Sequence, residues 1–138
     1  MIWMITFALA APSMTGIALR QGNCAKAIET YPSPLESHYQ LAIGKCYIQM
    51  GDIDSGLNVL EDVEGPLKDY AILLRAQGAM ILGSSYEAQV LAEQAAQNPL
   101  FTDQANLIKA QAAITNEQYI VARDTLRPLL VGDRLKAG

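Results

Sequence analysis

Four times along this chain a turn is followed by a small residue inside an apolar, helix-spaced stretch. The first three copies are Gly22-Asn23-Cys24-Ala25-Lys26-Ala27, Gly51-Asp52-Ile53-Asp54-Ser55-Gly56 and Gly83-Ser84-Ser85-Tyr86-Glu87-Ala88. Glu117-Gln118-Tyr119-Ile120-Val121-Ala122 is a fourth, weaker copy that lacks the opening glycine. Ala27, Gly56, Ala88 and Ala122 stand 29, 32 and 34 positions apart. A period near 34 with helical patterning on both sides is that of a helix-turn-helix repeat. The small residue has a packing reason. Two helices joined by a short turn approach closely only where side chains are small, and larger neighbours fill the groove around the contact. The spacing therefore predicts an all-α fold, an alpha-alpha superhelix (solenoid) of about three and a half to four antiparallel helix pairs.

Apolar spacing points the same way, in steps of three and four rather than the alternation of strands. Leu41, Gly44 and Ile48 fall on one helical face, with Ile43, Tyr47 and Met50 beside them. In the third pair Tyr70, Leu73, Leu74, Met80 and Ile81 face Ala88, Leu91, Ala92 and Ala95. In the fourth, Leu107, Ala110 and Ile114 face Tyr119, Ala122, Leu126 and Leu129. Gly51 and Gly83 are expected to close their helices in the left-handed conformation, with Asp52 and Ser84 capping the next ones. Pro32 and Pro34, Gly65-Pro66 and Asn98-Pro99 separate the pairs. Pro128 is expected to end or kink the last helix.

Composition narrows the function. Apolar residues make up 51% of the chain and charged ones 17%, which argues against disorder. The net charge is -4 and the ten Lys and Arg are scattered, so a phosphate backbone or an anionic membrane surface is a poor partner. Met1 to Ala11, MIWMITFALAA, is uncharged and too short to span a bilayer. It resembles the apolar core of a signal peptide, with Ala8-Leu9-Ala10 as a small-x-small cleavage site but no basic start. A first helix packing on the repeats is the other reading. The domain division is accordingly 1–16 for leader or first helix and 17–138 for the repeats. A leader makes the compartment periplasmic or secreted; without one it is cytoplasmic.

Candidate chemistry is sparse. His38 is the single histidine, so no multi-histidine metal site can form, and two cysteines with one histidine make zinc implausible. Cys24 and Cys46 are too far apart for a CxxC motif. In an exported chain they could bond as a disulfide between neighbouring helices; otherwise they are two buried thiols. Glu61, Asp62 and Glu64 adjoin the Gly65-Pro66 turn, where a carboxylate is solvated rather than poised as an acid. Tyr47, Tyr86 and Tyr119 are placed in the core or along a groove. Neither phosphate-binding glycine pattern occurs. No cofactor, metal site or catalytic residue is expected in this chain.

The second copy resembles the tetratricopeptide repeat. Ile43-Gly44-Lys45-Cys46-Tyr47 is similar to L-G-x-x-Y, Gly51-Asp52 to the following G-D, and Gly56-Leu57 to A-L with glycine for alanine. The repeat-packing positions are thus Ala27, Gly44, Tyr47, Gly51, Gly56, Gly83, Ala88 and Ala122. A narrower resemblance lies in Gly65-Pro66-Leu67-Lys68-Asp69-Tyr70-Ala71, which looks like a P-L-x-D-x-A helix opening. Asn98-Pro99-Leu100-Phe101-Thr102-Asp103-Gln104-Ala105 is similar with one extra residue. Such openings are similar to those in the superhelical N-terminal region of periplasmic soluble lytic murein transglycosylases. The resemblance implies a scaffold beside a separate lysozyme-like domain that cleaves peptidoglycan through one Glu. Glu36-Ser37 resembles that site's start, but no Gly-Leu-Met-Gln or Ala-Tyr-Asn stretch follows it. An acidic residue at a helix start is explained by the helix dipole. The expected function is a non-catalytic scaffold of such an enzyme. The alternative is a stand-alone module that binds a protein or peptide in its concave groove. Expected partners are a protein, a peptide or a catalytic domain of the same parent chain, with peptidoglycan a further candidate. Nucleic acid and stable membrane insertion are not expected.

Overall fold

A computed structural model describes residues 14–31 and 37–137, and all the secondary structure among them is helical. The apolar segment Met1 to Ala11, Pro32, Pro34 and Glu36 lie outside the described residues. Contacts divide the chain into two compact units, Met1–Leu67 and Lys68–Gly138.

The first unit contains α1 (residues 14–20), α2 (Cys24–Thr30), α3 (Ser37–Gln49) and α4 (Ile53–Glu61), followed by a 3-10 turn at Gly65–Leu67. Thr15 and Gly16 belong to α1, so the 16/17 division falls inside a helix. Within the first hairpin the fully buried Thr15 hydroxyl donates to the Thr30 carbonyl at 3.1 Å. Asn23 caps α2, its side chain accepting from the Lys26 N–H. Ala18, Ala27 and Ile43 form the buried core, with Leu19, Ile28, Tyr31, Tyr47 and Val59 packed against it.

The α3–α4 contact runs from Gly44 to Leu60 and Gly56, and from Ile48 to Gly56, which makes the two helices antiparallel. It is closer than alanine permits. A Cβ on Gly56 would sit 2.9 Å from the Gly44 carbonyl oxygen and 2.8 Å from Ile48 Cγ1. A Cβ on Gly44 would meet the fully buried Leu60 at 2.5 Å.

The second unit contains α5 (Lys68–Leu82), α6 (Ser85–Ala95), α7 (Thr102–Thr115) and α8 (Tyr119–Ala137). Successive helices pack in sequence, and α5 also touches α7. Ala79 meets Ala88 near the α5–α6 turn, while Asp69 bonds Asn98 past the far end of α6. Ser85 bonds Asn116, and Glu93 pairs with Lys109 at 3.4 Å. Both patterns are antiparallel. The core is alanine-rich: Ala76, Ala92, Ala95 and Ala105 surround Leu73, Leu91 and Ile108, and Ala79, Ala88 and Ala112 pack together beside them.

Several apolar faces differ from expectation. On α7 the buried residues are Ala105, Ile108, Ala110, Ala112 and Ala113; Ala110 packs as expected, while Leu107 and Ile114 are each 49% exposed. Half of the residues of α7 are apolar and they are spread around the helix, and its alanine-rich side goes inward because it permits the closer approach. Ile81, Met50 and Tyr119 are also exposed. Pro128 does not end α8, which continues to Ala137. The ring removes the hydrogen bond to the Asp124 carbonyl, and both residues are exposed, where water can take that place.

Candidate functional site

The four turns singled out in the sequence share one hydrogen-bond pattern. In each, one N–H closes back on the carbonyl three residues earlier, and the next N–H on the carbonyl five residues earlier. The pairs are Gly22→Leu19 and Asn23→Ala18, Gly51→Ile48 and Asp52→Tyr47, Gly83→Met80 and Ser84→Ala79, and Glu117→Ile114 and Gln118→Ala113. This is the Schellman closure, which needs a left-handed residue after the helix. The φ values are 71°, 89° and 83° at Gly22, Gly51 and Gly83, and 61° at Glu117. The small residues Ala27, Gly56, Ala88 and Ala122 are each the fourth residue of their helix and are all buried. Each donates its N–H to the carbonyl of the residue before the helix. Tyr47 is half-buried against the first unit's core. Asp52 caps α4 through its side chain, whereas Ser84 occupies the equivalent position without a side-chain cap bond.

Candidate chemical groups are not brought together. Glu61, Asp62 and Glu64 are exposed. His38 is exposed and its ring lies tilted against that of Tyr39, centroids 4.2 Å apart. Among the described residues no group of three or more His, Cys, Asp or Glu could hold a metal ion. Cys24 and Cys46 are joined as a disulfide, tying the start of α2 to the end of α3 with Cα atoms 5.2 Å apart. Among the described residues the Tyr31 phenol is pushed up from 10.0 by burial first, then by Tyr47 and Asp62.

The second unit has two organised ends. At the helix openings, Asn98 Nδ2 donates to Asp69 Oδ2 at 3.0 Å. Tyr70 and Phe101 meet edge to face, ring centroids 5.4 Å apart. The two Pro-Leu stretches singled out in the sequence are therefore in direct contact through their flanking side chains.

At the opposite end a polar ladder joins the 83–85 turn to the 116–118 turn. Ser85 Oγ donates to Asn116 Oδ1, Asn116 Nδ2 donates to Gln89 Oε1 at 3.0 Å, and Gln89 Nε2 donates to Gln118 Oε1 at 2.9 Å. Large apolar side chains stand exposed around this ladder: Ile81 64%, Leu82 45%, Tyr86 68%, Ile114 49%, Tyr119 64% and Ile120 67%. Sequence reasoning missed the ladder, because Ser, Asn and Gln in turns read as ordinary solvated residues. The one available signal was that Asn116 and Gln118 flank a turn that lacks its glycine.

No helix among the described residues is long and apolar enough to cross a membrane. No protein family matches the chain, and no curated protein matches it in sequence.

Proposed function

We propose that this chain is a non-catalytic scaffold of tetratricopeptide-like helix pairs, the superhelical part of a peptidoglycan lytic transglycosylase whose chemistry resides in a separate domain. The observation that carries the reading is the joining of the two Pro-Leu openings by Asp69–Asn98 and Tyr70–Phe101. A motif used twice, with its two copies touching, is what stacked repeats require. The four equivalent turns support the repeat, as does α5 touching both α6 and α7. The Cys24–Cys46 disulfide supports a periplasmic or secreted compartment, since cytosolic thiols are kept reduced.

The experiment is incubation of the purified chain with peptidoglycan sacculi, followed by chromatography of the soluble products. No 1,6-anhydro product is expected from this chain, and its release would overturn the scaffold assignment. The gene supplies the positive test. Its reading frame should continue into a lysozyme-like region containing Glu-Ser. A stop codon directly after Gly138 would leave the second reading, a stand-alone module that binds a protein or peptide. That reading is favoured by the exposed apolar side chains at the turn end of the second unit.

A further inference from the structure

The turn end of the second unit combines three properties. Ile81, Leu82, Tyr86, Ile114, Tyr119 and Ile120 are large, apolar and between 45% and 68% exposed. The Ser85–Asn116–Gln89–Gln118 ladder holds the two turns that these side chains flank side by side. The stretches 81–90 and 113–121 contain two carboxylates, Glu87 and Glu117, and no Lys, Arg or His. Both carboxylates are exposed. Scattered apolar residues on a surface need no explanation, but six flanking two joined turns, including two tyrosines, do. Tyrosine gives a large contact area with little conformational freedom to lose, and it anchors interfaces for that reason.

We infer that this end of the second unit is a docking surface for a cationic amphipathic helix of another protein. The apolar stripe of the partner lies across Tyr86 and Tyr119, and its Lys or Arg flank meets Glu87 and Glu117. A helix fits better than an added strand, because the described residues of the unit offer no sheet edge to extend. The site lies at the turns of the second unit. The inference rests on the scaffold reading and adds to it the place of binding and the chemistry of the partner.

The probe is a synthetic Leu/Lys peptide with leucines at i, i+3, i+4 and i+7, set against its Leu/Glu counterpart. Binding to the full chain is read by fluorescence anisotropy and mapped by hydrogen exchange. The Leu/Lys peptide should bind and protect 81–90 and 113–121, and the Leu/Glu peptide should not bind. Tyr86→Ser with Tyr119→Ser should weaken binding by roughly fivefold or more, the loss expected for interface anchors. Glu87→Lys with Glu117→Lys should weaken it too, while Glu61→Lys with Glu64→Lys, the same charge change in the first unit, should not. Circular dichroism of each variant establishes that it is folded. Equal binding of both peptides, equal losses in the two charge variants, or protection elsewhere would each overturn the docking surface. A footprint elsewhere would leave the scaffold function standing, whereas sugar release from sacculi would overturn the scaffold and leave the footprint interpretable. Self-association blocked by the tyrosine variant would identify a second copy of the chain as occupant instead, and would also overturn it.

Discussion

Gly56 shows what a single missing methyl group does here. In the sequence Gly56 is one of four small residues set at intervals along the chain. In the structure its smallness has a cause: Gly44 and Gly56 lie backbone to backbone, and Ile48 closes the remaining space. Gly56→Ala should therefore destabilise the chain by about 1–3 kcal/mol through overpacking, despite alanine's better helix propensity. Thermal unfolding checks this, and an unchanged midpoint would mean that α3 and α4 can separate freely. Tyr31 carries a second prediction. Its phenol is raised above 10.0, so folding favours the neutral form. That contribution is fully present below pH 10.0 and is lost as pH rises through the higher folded value. In an absorbance titration of phenolate, Tyr31→Phe should remove a late-ionising component. A residue's need for smallness was legible in the sequence, because spacing repeats it. The neighbours that raise Tyr31 were not, since Tyr47 and Asp62 reach it only through packing.

Helices and turns show a similar division. The turn glycines were legible because positive φ has few other solutions. The fourth turn breaks the rule, with Glu117 at φ 61°. Its flanking residues Asn116 and Gln118 are bound to Ser85 and Gln89, and this ladder holds the strained turn in place. Glu117→Gly should relieve the strain and stabilise the chain by about 1 kcal/mol, measured by urea unfolding. A loss of stability would mean that the Glu117 side chain contributes more than its backbone costs. Helix orientation was less legible. Leu107 and Ile114 offer the stronger apolar spacing on α7, yet the alanines face inward. Periodicity finds a helix's apolar residues, but on a helix whose apolar residues are spread around it, it cannot choose the side that faces a neighbour. Ala105 and Ala112 win because small residues let whole backbones approach, a gain that is invisible one side chain at a time.

For the whole molecule, the all-helical class was legible, and the division at Leu67 and Lys68 was not. Gly65-Pro66 reads as one more breaker among several, and nothing in its composition separates a turn between repeats from a boundary between units. Export is the prediction at this scale. The mature chain from its native host should begin near Ala11, determined by N-terminal sequencing; an intact Met1 would remove the leader and with it the compartment. The disulfide was one of two readings of Cys24 and Cys46, and the structure joins them across 22 positions.

That bond has a mechanical consequence. A chain pulled by its two ends transmits tension from Cys24 directly to Cys46, so the loop between them bears none of the load. Roughly 75 Å of contour length, 22 residues at about 3.4 Å each, is hidden from an applied force. In a single-molecule pulling experiment the oxidised protein should reach a correspondingly shorter full extension, and a thiol reductant should release the missing length in one step. Under tension on the N-terminus the short helix α2, which lies inside that loop, is spared the load.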